Sequence, residues 1–384
     1  MVIEMVQKFA KQEIAPQAEE VDREHRFNEA LFRKMANLGL LGITMPEESG
    51  GMGEGMFLLA LVLEEISKHC MSTASGLAAH YLAADPICEF ADQKQKERFL
   101  EGIVSGKTLC AFALTEPGAG SDVSSISTVA KKDGHEYVID GRKCFISNGG
   151  VAKLYLVLTR TEKAKGMAGI TAFVVEDGTV GFTFGKEEDK MGMRGTTNRE
   201  LVFENCRVPA HNLLGEEGKG WEVVKEALNR GRISTAAYAL GPGQAALEAS
   251  INYANERVQF GKTIGEFQGI QFMLADMANR ILGARLKIYH AASLADSGKP
   301  YEIEASMAKL SASDASMLST TDGVQVHGGY GYMREYPVER FMRDAKITQI
   351  VEGTNQIQRM IIGRSLLRGK TPGGGVTSWK AARS

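Results

Sequence analysis

The stretch FQGIQFMLADMANRILGARLKIYHAASLA, residues 267–295, decides the fold of the second half of the chain. Its apolar residues recur at the spacing of one helical face, which predicts a long amphipathic helix. A second pattern of this kind runs from about 301 to 326, and a third begins past Asn355. Long helices that follow one another in this way predict a helical bundle over residues 226–384.

The chain ahead of this bundle changes its character once. Residues 1–110 show helical periodicity, with glycine and proline gathered at breaks such as TMPEESGGMGEG (44–55). Residues 111–225 instead hold β-branched and aromatic runs of strand length: EYVIDGRKCFIS (136–147), KLYLVLTR (153–160), GITAFVVE (169–176) and RELVFENCRVP (199–209). We expect the first run to form two strands joined by a turn at Asp140-Gly141. The order predicts an α+β protein in which a small antiparallel sheet separates two helical domains.

The composition bounds the classes of function. With 384 residues, 43% of them hydrophobic, the chain can build two or three domains with sizeable cores. A formal net charge of -2 gives no support to a general nucleic-acid or membrane binder. The apolar stretches are short and broken by charges, so no transmembrane helix is predicted. The start MVIEMVQKFAKQEIAP (1–16) predicts an amphipathic helix rather than a secretory signal.

The cysteines and the last residues add two further expectations. The five cysteines form no CxxC pair, which is typical of a reduced, cytoplasmic protein with buried thiols. They are Cys70, Cys88, Cys110, Cys144 and Cys206. We expect none of them to bind a metal or to form a disulfide. Residues 369–384 are polar and Gly-rich, and we expect them to pack loosely.

Nucleotide-binding and hydrolase motifs are missing from the sequence. GAGSD at 118–122 would need a glycine at position 123 to complete G-x-G-x-x-G, and Val123 stands there. There is no Walker loop, no HExxH and no G-x-S-x-G. An enzyme that uses a nicotinamide nucleotide therefore has no support from the motifs.

The stretch CAFALTEPGAGSDVSSIST, residues 110–128, lies where the helical pattern gives way to strands. Its glycines allow close approach to backbone N–H groups, and it carries several hydroxyls, a combination suited to lining a polar cofactor. A glycine-rich loop that crosses between domains has the same composition, and composition alone favours that interpretation.

A carboxylate interrupts the helical pattern of ITQIVEGTNQIQR, residues 347–359. Glu352-Gly353 breaks a run of apolar residues, and a glutamate in such surroundings is costly unless the protein uses it. The alternative is a glutamate at a helix break that faces water.

Four segments together resemble one family. They are ALTEPGAGSD (113–122), NRGRI (229–233), FGKTIGEFQGIQFMLADM (260–277) and DGVQVHGGYGYMREYPVERFMRDAKITQIVEGTNQIQR (322–359). In these segments and their order the chain resembles the acyl-CoA dehydrogenases over essentially its whole length. The resemblance implies an N-terminal α-helical domain (1–110), a middle β domain (111–225) and a C-terminal four-helix bundle (226–384). It also implies an acyl-CoA substrate, a homotetramer with FAD bound between subunits, and electron-transferring flavoprotein as the electron acceptor.

The resemblance assigns the FAD site to several segments. Its residues here are Phe112, Ala113, Leu114, Thr115, Gly120, Ser121, Phe145, Ile146, Ser147, Arg257, Gln268, Gln325, Val326, His327, Gly328, Gly329, Thr354, Asn355 and Gln356. Phe145 stands where the family usually has tryptophan, so it keeps a flat apolar cover for the flavin and loses the indole N–H. Arg257 would meet the FAD diphosphate, because an arginine fork suits phosphate oxygens. Taken alone, Arg257 would more often be a solvated charge on a helix.

The resemblance also assigns the substrate site. Ser121, Asn229, Arg230, Gly231, Arg232 and Gly353 would contact the acyl-CoA, with Arg232 as the expected anchor of the CoA part. Glu352 matches the general base of the short- and medium-chain branches. Some relatives carry the base at the position that is Gly231 here, which has no side chain. The base would take the α proton while the backbone N–H of Glu352 and the ribityl 2′-hydroxyl bind the thioester oxygen.

Two positions depart from the family pattern. Val351 replaces a usual tyrosine before the base and would widen the pocket near the reacting carbons. Asp85, in HYLAADPICEF (80–90), stands where relatives commonly have a small residue on the pocket floor. It is either a helix-capping or solvent-facing acid before Pro86, or a second carboxylate that faces the acyl group. In the second case Asp85 could accept a proton in the 1,4-dehydrogenation of cyclohex-1-ene-1-carboxyl-CoA.

Two other functions compete with this interpretation. A non-catalytic protein that binds flavin or CoA would have no need for Glu352. An acyl-CoA oxidase would carry a further C-terminal domain, which a chain of 384 residues does not accommodate.

Overall fold

The computed structural model describes residues 1–161, 163–370 and 372. It begins with a helical segment: α1 (Val2–Phe9), α2 (Ala18–Glu24), α3 (Glu29–Asn37), α4 (Met56–His69), α5 (Met71–Phe90) and α6 (Gln93–Val104). Between α1 and α2 the helix loosens into a wider turn at Ala10–Ile14, followed by a tight turn that contains Pro16. Proline lacks the N–H that a regular helix would need there, so the chain changes its helical geometry.

The second segment is a mixed sheet. Its strands are β1 (Cys110–Ala113), β2 (Val129–Asp133), β3 (Glu136–Ser147), β4 (Leu154–Arg160), β5 (Ile170–Glu176), β6 (Phe182–Glu187), β7 (Asn198–Pro209) and β8 (Leu213–Leu214). Within the described residues the order is β6-β7-β3-β2-β4-β5-β8, with β1 added on β4. β1 runs parallel to β4, as does the short contact of β2, whereas the other pairs are antiparallel. The prediction of a small antiparallel sheet was therefore wrong in size and in the two parallel contacts.

The predicted turn at Asp140-Gly141 is also wrong, because β3 is one strand from Glu136 to Ser147. Its long antiparallel pairing with β7 holds it extended, and Asp140-Gly141 forms a bulge where the register shifts. The side chain of Asp140 accepts a hydrogen bond from the Asn205 N–H at 2.7 Å. Gly141 has φ +149°, and a Cβ there would lie 2.6–2.8 Å from Thr128. A glycine in a strand therefore marked a bulge and close backbone contact instead of a hairpin.

The third segment is the helical bundle. It consists of α7 (Gly220–Glu256), α8 (Gln268–Asp296), α9 (Glu302–His327), α10 (Val338–Lys346) and α11 (Asn355–Leu367), with the short strands β9 (Val258–Gln259) and β10 (Lys262–Thr263) between α7 and α8. The helices predicted at 267–295, at about 301–326 and past Asn355 are confirmed. Glycines bring α7 and α9 close together: a Cβ at Gly243 would lie 3.2 Å from the Ser316 Cα.

The end of the long helix α8 connects the two helical segments. Asp296 accepts hydrogen bonds from the N–H groups of Met56 at 2.6 Å and Phe57 at 2.9 Å, at the start of α4. These N–H groups have no partner inside their own helix, so a distant carboxylate satisfies them. A side chain at Gly55 would collide with Asp296, which explains the glycine. The predicted order of helices, sheet and helices in an α+β protein is confirmed, whereas the domain limits at 110 and 225 stay predictions.

Four further sequence expectations concern membrane helices, metal sites, the cysteines and the last residues of the chain. None of the helices in the described ranges is both long and apolar enough to cross a membrane. Among the same residues no group of three or more His, Cys, Asp or Glu side chains is placed to hold a metal. All five cysteines are free thiols. The predicted loose segment 369–384 lies outside the described residues, except for Gly369, Lys370 and Pro372.

Candidate active site

Glu352 lies in a sharp turn between α10 and α11. Glu352 has φ +52° and Gly353 has φ +90°, two consecutive residues in the left-handed region. The next residue, Thr354, caps α11 by accepting a hydrogen bond from the Ile357 N–H at 3.3 Å. A glutamate in this conformation stores strain of order 1–3 kcal/mol, so the surrounding structure must hold it there.

Two side chains hold this turn through its carbonyl oxygens. Gln358 Nε2 donates to the carbonyl of Glu352 at 3.1 Å and to that of Gly353 at 2.9 Å. From α9, Lys309 Nζ donates to the same Gly353 carbonyl at 2.9 Å and to Asn355 Oδ1 at 3.0 Å. The backbone N–H of Glu352 has no partner in the part of the chain that the structure describes. The turn therefore presents a carboxylate and an unused N–H donor on one residue.

The carboxylate of Glu352 faces a glycine on α7. A Cβ at Gly231 would lie 2.1 Å from Glu352 Oε2 and 2.7 Å from Leu82 Cδ1, so only glycine leaves room here. Glu352 Oε2 is buried and has no hydrogen-bond partner among the described residues. Burial raises the pKa of Glu352 to about 7, against the Thr235 side chain and the charges of Lys309 and Arg232, which lower it. Such a carboxyl group can exchange a proton near neutral pH.

Asp85 lies inside α5, three residues after Leu82 and therefore on the same face of the helix. It is 5% exposed, its Oδ1 accepts a hydrogen bond from Thr44 at 2.5 Å, and its Oδ2 lies 3.8 Å from Arg230. The interpretation as a helix-capping or solvent-facing acid is wrong, because α5 continues through Pro86 to Phe90 and buries this face. Burial raises the pKa of Asp85 to about 6, although Arg230 and Thr44 lower it.

The two arginines of NRGRI differ in exposure, since the Arg230 side chain is 32% exposed whereas Arg232 is buried. Arg230 pairs with Glu226 at 2.7 Å, Glu89 at 3.6 Å and Asp85 at 3.8 Å. Arg232 is 7% exposed and donates through Nη1 to Asn229 Oδ1 at 2.7 Å. Its Nε has no hydrogen-bond partner among the described residues, and the expectation that Arg232 anchors the CoA part stays a prediction. Arg230 lies beside Asp85, and the charge of Arg232 acts on Glu352.

The two predicted flavin-side segments lie next to each other. The Cys144 N–H donates to the Thr115 carbonyl at 2.9 Å, which joins the end of β1 to the end of β3. Phe145 has φ +60° and projects outward, 64% exposed. Ser147 Oγ accepts a hydrogen bond from Asn198 Nδ2 at 3.0 Å. Gly120 and Ser121 are exposed on the loop that follows Thr115. An exposed aromatic ring beside such a loop suits a flat, partly polar ligand.

Arg257 and the segment 326–329 line a groove of about 440 Å³. In the described part of the chain Arg257 has no carboxylate partner, and it lies 5.5 Å from the ring of Tyr330. Side chains at Gly328 and Gly329 would meet nothing within 4 Å, so the backbone is open to a ligand. An unpaired guanidinium beside open backbone fits a diphosphate. Gln268 and Gln325 are exposed but do not line this groove.

Thr354, Asn355 and Gln356 line a separate depression of about 370 Å³. Asn355 is buried, and its side chain donates to Ser313 Oγ at 2.9 Å and to Asp314 Oδ1 at 2.7 Å. The Asn355 side chain therefore connects the wall of this depression to α9. Apart from Gln268 and Gln325, the predicted FAD residues thus fall into three patches of the single chain: the flavin-side segments, the Arg257 groove and this depression.

Comparison with known proteins identifies the family. The acyl-CoA dehydrogenase N-terminal, middle and C-terminal domains match residues 1–107, 111–206 and 218–367. The chain belongs to the acyl-CoA dehydrogenase family. It is accordingly an FAD-dependent oxidoreductase that acts on CH–CH groups of acyl-CoA. The predicted family, fold and cofactor are therefore confirmed.

Two curated relatives differ in the reaction their names state. The chain is 46% identical over 370 residues to acryloyl-CoA reductase (NADH) of Anaerotignum propionicum, covering 96% of this chain and 94% of that one. It is 47% identical over 369 residues to cyclohex-1-ene-1-carbonyl-CoA dehydrogenase of Geobacter metallireducens, covering 96% and 97%.

Two solved structures share the whole architecture. Butyryl-CoA dehydrogenase of Megasphaera elsdenii matches with a TM-score of 0.94 and 46% identity, over 96% of this chain and 97% of that one. A structure that concerns the electron-transferring flavoprotein of Acidaminococcus fermentans contains a chain with a TM-score of 0.95 and 48% identity, over 96% and 97%.

Sequence reasoning missed several residues of this acyl-CoA dehydrogenase that act beside the two carboxylates. They are Thr44, Leu82, Thr235, Lys309 and Gln358. Lys309 carried a readable signal, because Ala305 and Ala312, one turn away on either side, mark a buried helix face on which a lysine is costly. The others are ordinary residue types, and only the packing of α5, α7 and the Glu352 turn reveals them.

Proposed function

We propose that this acyl-CoA dehydrogenase desaturates a short or alicyclic acyl-CoA with Glu352 as the general base. The observation that carries the proposal is the buried, unpartnered Oε2 of Glu352, which faces Gly231. A buried carboxylate oxygen without a hydrogen-bond partner is costly, and the proton of a substrate would relieve that cost.

In this proposal, different groups of the Glu352 turn bind the thioester and take the proton. The free N–H of Glu352 binds the thioester oxygen, and its carboxylate takes the α proton. When bound, FAD supplies the acceptor for the hydride that leaves the β carbon. Gln358 and Lys309 fix both carbonyls of the turn, so that donor and base keep their relative position. Leu82 supplies an apolar wall that excludes water from the base.

The charged residues Asp85 and Arg230 on the proposed pocket floor support a short or alicyclic acyl group as substrate. Asp85 lies one helical turn, about 5 Å, beyond Leu82 along α5. Asp85 and Arg230 thus place charges where a long saturated tail would have to lie, and an apolar tail gains nothing from such contacts. Val351 in place of the usual tyrosine would leave room for a ring. Relatives named for butyryl-CoA and for cyclohex-1-ene-1-carbonyl-CoA support both kinds of acyl group.

The burial of Asp85 favours a second candidate function, the 1,4-dehydrogenation of cyclohex-1-ene-1-carboxyl-CoA. In this substrate the α carbon carries no proton for Glu352 to remove. Loss of a proton from ring carbon 3 and of a hydride from ring carbon 6 gives the conjugated cyclic 1,5-diene. Ring carbon 3 lies deeper than the α carbon, so its base must lie on the floor. The buried position of Asp85 on α5, beyond Leu82, supports this role. Its pKa of about 6 suits proton acceptance near neutral pH.

The test is anaerobic bleaching of the bound flavin by a panel of acyl-CoAs, from butyryl to cyclohexanoyl and cyclohexenoyl. We expect rapid bleaching by at least one short or alicyclic member. Glu352→Gln should retain FAD but slow bleaching by saturated substrates by about 10²–10⁴-fold, the usual contribution of a general base. A variant that keeps more than a tenth of the wild-type rate would exclude Glu352 as the base.

The second function has its own pair of variants. Asp85→Asn should abolish diene formation from the cyclohexenoyl substrate while the flavin stays bound. Glu89→Gln is the matched control, because Glu89 lies on the same helix and also faces Arg230 but has a more exposed side chain than Asp85. If Asp85→Asn oxidises this substrate at the wild-type rate, Asp85 is not the proton acceptor. If the wild-type protein does not bleach with this substrate, simple α,β-desaturation is the remaining function.

The assembly and the electron acceptor complete the proposal. Phe272, Leu282 and Leu286 form an exposed apolar stripe on α8, which a second copy of the chain would cover. The three patches of FAD residues would then be completed across subunits of a homotetramer. Electron-transferring flavoprotein is the proposed acceptor, supported by the structural match that concerns that protein. Light scattering would test the tetramer, and reduction of the added flavoprotein would test the acceptor. A cytoplasmic location stays a prediction.

A further inference from the structure

A buried ion pair joins the two flavin-side segments. Lys143 on β3 and Glu116 on the loop after β1 lie 2.7 Å apart, and their side chains are 0% and 2% exposed. Lys143 Nζ also donates to the Leu114 carbonyl at 3.1 Å. None of the sequence motifs singled out this pair.

Glu116 connects the two ends of the loop formed by residues 116–128. Its Oε2 accepts from the Ser127 N–H at 2.5 Å and from Ser127 Oγ at 2.7 Å, and its Oε1 accepts from the Thr128 N–H at 3.0 Å. Residues 116 and 128 are thereby tied together at one carboxylate. The loop between them carries Gly120 and Ser121, so its base is fixed while its tip stays exposed.

A second buried cation holds the returning limb of the same loop. Arg160 at the end of β4 donates to the carbonyls of Ser124 at 2.6 Å and Ile126 at 3.1 Å. It reaches Gly166 with a third hydrogen bond at 2.8 Å. The loop is therefore held at both limbs by cations, one on β3 and one on β4.

The other flavin-side segment depends on Lys143 directly. The register of β3 against β7 shifts between Lys143 and Ile146, which makes a bulge. Within this bulge Lys143 points inward to Glu116 whereas Phe145 points outward. A bulge re-aims one side chain at the cost of regular pairing, so something else must fix its position. The ion pair supplies that connection, next to the hydrogen bond from the Cys144 N–H to the Thr115 carbonyl.

We infer that the Lys143–Glu116 pair is a positioning element that fixes segments 112–121 and 145–147 to each other as one flavin-binding surface. The inference rests on the proposed placement of the flavin against these two segments. Neither residue touches the reacting atoms. Stability alone is a weak reason for a buried ion pair, because well-packed apolar residues can do as well. Fixed geometry is what the directional bonds of this pair add.

The test compares Lys143→Met with Arg142→Met. Arg142 is the preceding residue on the same strand, but it is exposed and pairs with Glu200 at 3.3 Å on the surface. Each purified protein would be measured for its melting temperature, visible flavin spectrum, rate of FAD loss on dilution and rate of bleaching by substrate. We expect Lys143→Met to lose FAD about tenfold faster and to shift the flavin spectrum, and Arg142→Met to match the wild type. Bleaching should slow by on the order of 10²-fold, as a misplacement of about 1 Å can cause.

Glu116→Gln is the second variant in case Lys143→Met does not fold. It keeps the size of the side chain and removes the charge that pairs with Lys143, so we expect the same changes in a milder form. The inference is overturned if the folded variants keep wild-type spectra and FAD retention. It is also overturned if Lys143→Met and Glu116→Gln both unfold globally, because the pair then stabilises the whole fold and does not specifically position the flavin-side segments. A wild-type protein that binds no FAD would overturn the proposed function and this inference with it. A bleaching wild type beside unchanged variants would overturn the inference alone.

Discussion

Gly231→Ala is the substitution that tests the active-site geometry most directly. In an ordinary helix interior this change stabilises a protein by up to about 1 kcal/mol, because glycine is the poorer helix former. Here the added Cβ would lie 2.1 Å from Glu352 Oε2 and 2.7 Å from Leu82 Cδ1. The variant therefore adds one methyl group opposite the carboxylate of Glu352, at a place where only glycine fits.

The size of the effect follows from these distances. To reach a contact of 3.0 Å, the carboxylate of Glu352 must retreat by about 0.9 Å. A misplacement of about 1 Å can cost 10²-fold in rate, and complete loss of a general base costs about 10²–10⁴-fold. We expect bleaching by a saturated substrate to slow by about 10²–10³-fold. Crowding against Leu82 costs about 1–3 kcal/mol, which the better helix propensity of alanine partly offsets, so the variant should still fold.

Stopped-flow bleaching measures this rate, and the flavin content of the purified variant shows whether FAD is retained. Gly363→Ala is the matched control, because Gly363 also lies inside a helix but a Cβ there would meet nothing within 4 Å. We expect the control to bleach at the wild-type rate. If Gly231→Ala keeps more than a third of the wild-type rate, Glu352 does not act from the position opposite Gly231.

Three further outcomes follow from the site. Arg257→Ala should weaken FAD binding by about 10–100-fold, because a charged hydrogen bond to a diphosphate contributes about 1.5–3 kcal/mol; equal flavin retention in dialysis would remove Arg257 from the site. The rate of bleaching should rise as the pH rises through about 7, the pKa of Glu352, and a flat profile from pH 6 to 8 would contradict that role. The folded protein holds the Glu352 proton up to about pH 7, whereas the unfolded chain loses it near 4.5. The folded state thus binds more protons in this window, so ionisation of Glu352 costs stability as the pH rises. Glu352→Gln should therefore raise the melting temperature more at pH 8 than at pH 5, and an equal change at both would refute this.

The helical parts of the fold could be predicted from the sequence, and the sheet only in outline. Long helices such as 268–296 show their buried face repeatedly, so the period is unambiguous. Asp140-Gly141 shows the limit of local patterns, because a hairpin turn and a bulge use the same residues. The choice between them depends on β7, which lies some sixty residues farther along the chain and pairs with β3 on both sides of the bulge.

The candidate site divides in the same way. Glu352 and Arg257 could be found because their segments resemble a family and because a carboxylate at a glycine break is unusual. The side chains around the two carboxylates could not be found, since Thr44, for example, approaches Asp85 from 41 positions away along the chain. The intramolecular partners of Arg230 and Arg232 were equally hidden, because the sequence does not show that Arg230 lies 3.8 Å from Asp85 or that Arg232 donates to Asn229. Their contact with CoA stays a prediction.

The surroundings of Glu352 meet two opposing demands on a general base. Burial alone can raise a carboxyl pKa by 3–5 units, which would leave Glu352 protonated and idle near neutral pH. A direct ion pair can lower the pKa by 1–3 units and would leave a weak base. Lys309 and Arg232 lie near enough to lower the pKa, yet neither is an ion-pair partner of Glu352 within the described residues. Lys309 donates to the Gly353 carbonyl and Arg232 donates through Nη1 to Asn229, whereas Arg232 Nε has no partner among the described residues. The Thr235 side chain and the two charges together lower the pKa of Glu352 against the effect of burial, so that it lies near 7, and Oε2 stays free to take a proton.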